Sequence, residues 1–331
     1  MADSSKQTLT ISKVNLVQKY TPWLYSFWKF SRPHTIFGTT FSVWGLTFVA
    51  LSDKINATWQ AGDFVATALT AILVSWLACL CGNVYIVGLN QLEDVEIDRI
   101  NKPHLPLASG EYSPSQAKAI IITTGILALI LATLQGKFLL ATVGISLAMG
   151  TAYSLPPIRL KRFPFWAALC IFTVRGVIVN LGIYLHLSWV FSGKLPEYIP
   201  SLTPSILALT LFILVFTFAI AIFKDIPDLE GDRKYNISTF TIRLGTVSVF
   251  KLARWVLTGC YLGMIFSAFF LQAWLNPIFL VSSHVVILAL LWWRSTKIDL
   301  GKKESIAAFY QFIWKLFFLE YLLFPLACLL G

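Results

Sequence analysis

The nine residues Asn90-Gln91-Leu92-Glu93-Asp94-Val95-Glu96-Ile97-Asp98 hold four acids and follow directly on an apolar run over residues 64–89. A run of that length crosses a hydrocarbon core of roughly 30 Å as a helix. Carboxylates are costly inside lipid, so the acids mark where the helix meets water. A second set of nine, Lys224-Asp225-Ile226-Pro227-Asp228-Leu229-Glu230-Gly231-Asp232, again holds four acids and follows an apolar run over 203–223. These two windows contain half of the 16 acids of the chain.

Elsewhere the chain is poor in charge. Of its 331 residues 57% are hydrophobic and only 13% are charged, against about 25% in a soluble domain. An ordinary soluble enzyme, a disordered chain and a small secreted scaffold are excluded. What remains is an all-α, polytopic membrane protein. Nine stretches are long and apolar enough to span: 34–52, 64–89, 117–134, 138–155, 165–190, 203–223, 247–271, 276–293 and 307–330. Ser113-Pro114-Ser115-Gln116 reads as a helix N-cap, a proline at the first helical position and a Gln three residues in. Gly245-Thr246 reads as a helix stop followed by a cap. Residues 1–33 read as a polar tail ahead of one membrane domain, 34–331, and lack the apolar core of a signal peptide. The five cysteines lie in apolar segments with no CxxC pair and read as small buried hydrophobes.

The bases give an orientation. The first 33 residues and the loops after the second, fourth, sixth and eighth segments carry 22 of the 26 Lys and Arg. Lys54, Lys137 and Lys194 are on the other side, and Arg175 lies within the fifth segment. The positive-inside rule puts the N-terminus and both acid windows on the cytoplasmic (or stromal) side, and the C-terminus opposite.

Within the first window Asn90, Asp94 and Asp98 are spaced i, i+4, i+8. Each step of four turns a helix by about 400°, so the three share one face of a continuous helix. Asp225, Asp228 and Asp232, at i, i+3, i+7, do the same unless Pro227 starts a fresh turn. Stacked carboxylates repel, and a hard divalent cation with oxygen ligands relieves them. Mg²⁺ suits the pattern, because it completes its shell with water and phosphate oxygens. Two facing clusters would cage a metal-bridged diphosphate. A solvated acidic loop and a cation transporter are the competing readings. The windows recur at equivalent joints 134 residues apart (Asp94 to Asp228), each with a trailing Arg and Asn (Arg99 and Asn101; Arg233 and Asn236), which disfavours the loop. Acids at segment ends rather than mid-membrane disfavour transport.

These residues resemble the UbiA-type superfamily of intramembrane prenyltransferases, with its NxxxDxxxD motif after the second helix and its aspartate-rich motif after the sixth. The likeness spans the chain from about Phe30 onward. The stretches Gly88 to Glu111 (GLNQLEDVEIDRINKPHLPLASGE), Tyr153 to Phe163 (YSLPPIRLKRF) and Lys224 to Gly245 (KDIPDLEGDRKYNISTFTIRLG) look most like the members that prenylate homogentisate. The resemblance implies nine helices around a central cavity in a plasma or thylakoid membrane. It implies Mg²⁺ as cofactor, a prenyl diphosphate donor with phytyl foremost, and homogentisate as acceptor. Other donors or acceptors of the same superfamily stay open.

The resemblance further implies that Asn90, Asp94 and Asp98 hold one Mg²⁺ and that Asp228 and Asp232 hold another, with Asp225 assisting. Tyr153 matches a family tyrosine near the diphosphate. Arg99, Lys102, Lys161, Arg162, Lys224 and Arg233 lie on the same expected face and are candidates for the diphosphate oxygens. Arg32 offers a fork for diphosphate or for the acceptor carboxylate, and His34 offers a base for a phenol proton. Arg175 is costly in lipid and is expected to face a cavity, where it could meet the acceptor, or to pair with Glu320. His186 and His284 read as structural.

Overall fold

The computed structural model describes residues 20–53, 63–193, 197–235 and 239–331. Among these, nine long helices match the nine expected segments. They are α1 Pro33–Ser52, α2 Asp63–Glu93, α3 Pro114–Gln135, α4 Lys137–Ser154, α5 Pro164–Phe191, α6 Pro204–Phe223, α7 Thr246–Ser267, α8 Pro277–Ser295 and α9 Lys303–Leu329. Eight are long and apolar enough to cross a membrane, and α4, with 18 residues, packs against α2, α3 and α5. The chain is an integral membrane protein. The tail residues 1–19, together with Lys54, Lys194 and Asn236, lie outside the described residues.

The helices start where local chemistry says they should. Proline opens α1, α3, α5, α6 and α8, at a position whose N–H has no helical partner to lose. Ser113 and Gln116 form the expected reciprocal cap of α3, with bonds of 3.2 and 2.9 Å. At α7 the expectation fails. Thr246 is already helical, and Gly245, at φ 82°, takes the cap position with no side chain to offer. The capping hydroxyl is that of Thr239, which accepts from Ile242 N at the head of a short helix, Phe240–Leu244.

Packing closes the helices into a ring. Neighbours in sequence pack on one another, and α9 returns to pack on α1. Small residues permit the close approach usual between membrane helices. At Gly45 of α1, a Cβ would lie 2.6 Å from the Tyr321 carbonyl oxygen of α9. Far from the acid windows, the second half of α5 packs on α1. There Tyr184 and Thr203 donate to one Asp53 carboxylate oxygen at 2.5 and 3.0 Å. That network ties off the far end of the ring. At the other end, within the stretch read as a tail, Pro22–Phe30 forms a helix. It exposes Trp23, Leu24 and Trp28 and buries Phe30 against Tyr112. Glu111 accepts from its Ser26 and Lys29.

Candidate active site

A cavity of about 1250 Å³ opens between the acid windows and runs into the ring. All of the expected site residues line it except two. Arg99 turns out to Glu96 at 2.7 Å, both well exposed, and Arg233 is exposed outside the cavity. A base on a short exposed helix gains full hydration by facing water.

Neither window is one continuous helix face, which corrects the expected geometry of the first and, in the second, is the fresh turn that Pro227 offered. The helix α2 ends at Glu93, Asp94 leaves helical geometry at φ −117°, ψ 19°, and a new short helix runs Val95–Asn101. Glu96 goes to solvent while Asp94 and Asp98 face the cavity. Likewise α6 stops at Phe223, and after Pro227 a fresh helix runs Leu229–Lys234. Asn101 ties the two short helices together by accepting from Gly231 N at 2.9 Å. A Cβ there would lie 2.3 Å from the Asn101 amide oxygen and would push that side chain off its bond.

The carboxylates meet bases from distant segments. Asp94 accepts from Asn90 at 3.0 Å, Arg159 at 3.1 Å and Lys161 at 2.7 Å. Asp98 has Arg32 at 3.7 Å and Lys102 at 3.9 Å. Lys102 also bridges to Asp228 at 2.5 Å, and Lys224 stands 3.5 Å from Asp225. The two non-glycine residues with positive φ among the described residues are Arg32 (52°) and Arg159 (38°). Such conformations cost about 1–3 kcal/mol each and persist where surrounding contacts require them. Both arginines reach acids of the first window.

Burial sets the titration of the cluster. It raises the carboxyls of Asp98 and Asp225 above the usual range despite their bases. Asp232, which has no ion pair among the described residues, is pushed up to about 7 by burial and by the nearby Asp228 and Asp225. Burial lowers the Lys161 ammonium in spite of Asp94. Burial also opposes the charge on Lys224, yet Tyr153, Asp225 and Asp228 together hold it well above the ordinary lysine range. The Asp98 Oδ2 atom is buried with no hydrogen bond. An all-oxygen donor set with an orphaned carboxylate oxygen fits a hard divalent cation. Among the described residues no three carboxylate, imidazole or thiol groups converge on one point. A cation held here would take only part of its shell from these side chains, as Mg²⁺ does where phosphate oxygens and water complete it.

The model of the UbiA prenyltransferase family matches residues 37–316. The chain belongs to the UbiA prenyltransferase family. It is 54% identical over 307 residues to a homogentisate phytyltransferase of Synechocystis sp., covering 92% of this chain and 96% of that protein. It is 41% identical to homogentisate phytyltransferase 1, chloroplastic, of Arabidopsis thaliana, over 91% of this chain and 75% of that protein. Its fold is shared with a UbiA homologue from Archaeoglobus fulgidus, solved with GPP and Mg²⁺, at 16% identity and a TM-score of 0.58, covering 91% of this chain and 99% of that one.

In this UbiA family member two expectations about buried charge resolve differently. Arg175 lines the cavity but does not pair with Glu320. Glu320 instead takes His284 at 3.2 Å, both fully buried away from the cavity. Helices α8 and α9 pack side by side, so His284 is the closer partner. His186 is buried outside the cavity too, and the five cysteines are free thiols. Sequence reasoning missed Arg159, Asn101, Tyr310 and Trp314 at the site. Arg159 sits inside the quoted stretch Tyr153 to Phe163, two residues after a double proline, and that loop was the available signal. Asn101 was visible only as part of the repeated tail of the windows. The aromatic residues on α9 carried none, because phenylalanine, tyrosine and tryptophan are common throughout the chain.

Proposed function

We propose that this chain transfers a phytyl group from phytyl diphosphate to homogentisate, with Mg²⁺ and with loss of carbon dioxide. The observation that carries the proposal is the likeness to the Synechocystis enzyme over nearly the full length of both chains. The cavity with paired acid windows at its mouth supports it. Asn90, Asp94 and Asp98 would hold one Mg²⁺, and Asp228 and Asp232 a second, with Asp225 assisting. Bound there, the metal would neutralise the diphosphate and make it a better leaving group.

The chain's own residues do the rest. Lys161 and Arg159, which sit on Asp94, and Lys102, which sits on Asp98 and Asp228, would take diphosphate oxygens. Tyr153, Lys224 and Arg162 line the same mouth. The allylic C–O bond breaks with its electron pair left on diphosphate. Aromatic faces such as Tyr310 and Trp314 stabilise the carbocation through cation–π attraction, and the apolar walls exclude water. A ring carbon of homogentisate then bonds the cation and gives up its proton. The acetate carboxyl leaves as CO₂, and the remaining methylene takes a proton to become methyl. His34, which lines the cavity 4.9 Å from Trp314 between ring centroids, would be the group to accept the phenol proton.

Membranes containing the protein, given phytyl diphosphate, Mg²⁺ and homogentisate, are expected to form a methyl phytyl hydroquinone. Prenylation of 4-hydroxybenzoate or chlorophyllide in its place would overturn the acceptor. A faster reaction with geranylgeranyl diphosphate would overturn the donor. The windows are proposed to face the cytoplasm or stroma, in a plasma or thylakoid membrane. An amine-reactive probe should then reach the exposed Lys234 from that side alone.

A further inference from the structure

Helix α5 is irregular where it passes the cavity. Residues Thr173–Ile178 are π-helical, a form that leaves carbonyls without their usual partners and that clusters at functional sites. Asn180 braces the turn: its Nδ2 gives hydrogen bonds to the carbonyls of Gly176 at 2.7 Å and Arg175 at 3.1 Å. Its Oδ1 in turn accepts from the Tyr321 hydroxyl of α9 at 2.7 Å. Gly176 lies hard against α6, where a Cβ would come 2.6 Å from the Leu214 Cα. The widened turn is thus held from two neighbouring helices. It carries Arg175, whose side chain enters the cavity.

Arg175 is the twelfth residue of 28 in its helix, about 16 Å along the axis from the mouth end. Its guanidinium lies over the rings of Trp314 at 4.9 Å and Phe317 at 5.5 Å. On α1, Gly38 leaves it room, since a Cβ there would sit 2.9 Å from its Nη1. Among the described residues no carboxylate pairs with it, and Glu320 is engaged by His284. A lone cation deep in an apolar cavity is costly. Beside a developing carbocation it is costlier still, because like charges repel. An anion from outside the protein removes both penalties. Diphosphate has its own bases at the mouth, and Arg32, the other arginine considered for the acceptor, is drawn to Asp98 there.

We infer that Arg175 binds the carboxylate of the acceptor, and that Asn180 and Tyr321 are positioning residues that aim it. This rests on the homogentisate reading. A guanidinium fork matches a carboxylate in geometry as well as charge. The acceptor ring then lies on the shelf made by Trp314 and His34, between the anchor and the acid windows.

The test uses the full-length protein in lipid nanodiscs with phytyl diphosphate, Mg²⁺, homogentisate and homogentisate methyl ester. If the wild type prenylates no homogentisate, the underlying reading fails before any variant is made. In the wild type the ester should compete about tenfold to a hundredfold more weakly than the acid, the scale of a charged hydrogen bond. Equal competition overturns the assignment without recourse to a variant. Arg175→Gln should raise the homogentisate KM by a similar factor and erase the acid-over-ester preference. It should leave the phytyl diphosphate KM within about twofold, and Arg175→Lys should restore part of the preference. Asn180→Ala should weaken the same preference with ester binding unchanged. A KM change confined to the diphosphate, or an intact preference in Arg175→Gln, refutes it.

Discussion

The two acid windows match in length and in number of acids, yet their surroundings differ. In the first, Asp94 is gripped by Arg159 and Lys161, and Asp98 faces Arg32 and Lys102. In the second, Lys224 serves Asp225 and Lys102 serves Asp228, while Asp232 is left without an ion pair among the described residues. Its carboxyl accordingly sits up at about 7, burial and its acidic neighbours being the cause. One pattern of residues thus yields two electrostatic environments. The difference comes from bases far away in sequence, and it leaves the second window with the greater need of a cation.

The strongest challenge to that pairing removes a window outright. Asp94→Ala and Asp228→Ala should each cut turnover by at least about a hundredfold, as should chelation of divalent metal in the wild type. Near-normal activity of either variant at low Mg²⁺ would show that the windows do not act together. Next in size is Lys102→Ala, which deletes the one base that, among the described residues, pairs with both windows. The KM for the prenyl diphosphate should rise about tenfold, and an unchanged KM would mean that Lys102 serves only the fold.

A smaller effect separates the windows by pH in the metal-free protein. The folded carboxyl of Asp232, at about 7, lies above an unfolded value near 3.9. The folded state therefore holds a proton that the unfolded state has lost, and the resulting penalty is full above pH 7. It shrinks as pH falls below 7 and ends near pH 4. Asp232→Asn should raise the melting temperature at pH 8 by about a few degrees, and by less at pH 5. A larger gain at pH 5, read by thermal unfolding, would reverse the sign of this account. Smallest of all, Arg99→Ala and Arg233→Ala should leave kcat/KM within about twofold, since both side chains lie outside the cavity. A tenfold loss in either would mean that the mouth closes over them during turnover.

Much of the molecule was readable before any fold was known, and the reason is physical. Spans such as Pro204–Phe223 announce themselves because lipid tolerates little but apolar side chains over that length. The cap of α3 was readable because Ser113 and Gln116 are three residues apart and need no third party. Placing a base with its acid was harder. Arg99 and Lys102 sit three residues apart on one short segment, yet one faces solvent and the other joins both windows. Arg159 is 65 residues from Asp94, and no local rule links them. The misplaced Thr246 cap is an error of the same kind, and packing also chose between the two readings of Arg175, the cavity over Glu320. Residue type offered a partner where packing had another nearby.

Order along the chain alone established a polytopic helical membrane protein with two acidic joints and the family to which those joints point. Hydrophobic length and clustered charge are local properties, and they act whatever the rest of the chain does. Folding in three dimensions settled the break at Asp94, the sharing of Lys102, the demand left at Asp232 and the π turn that aims Arg175. Each of these depends on contacts between residues far apart in sequence, where a neighbouring helix supplies the base, the hydrogen bond or the space.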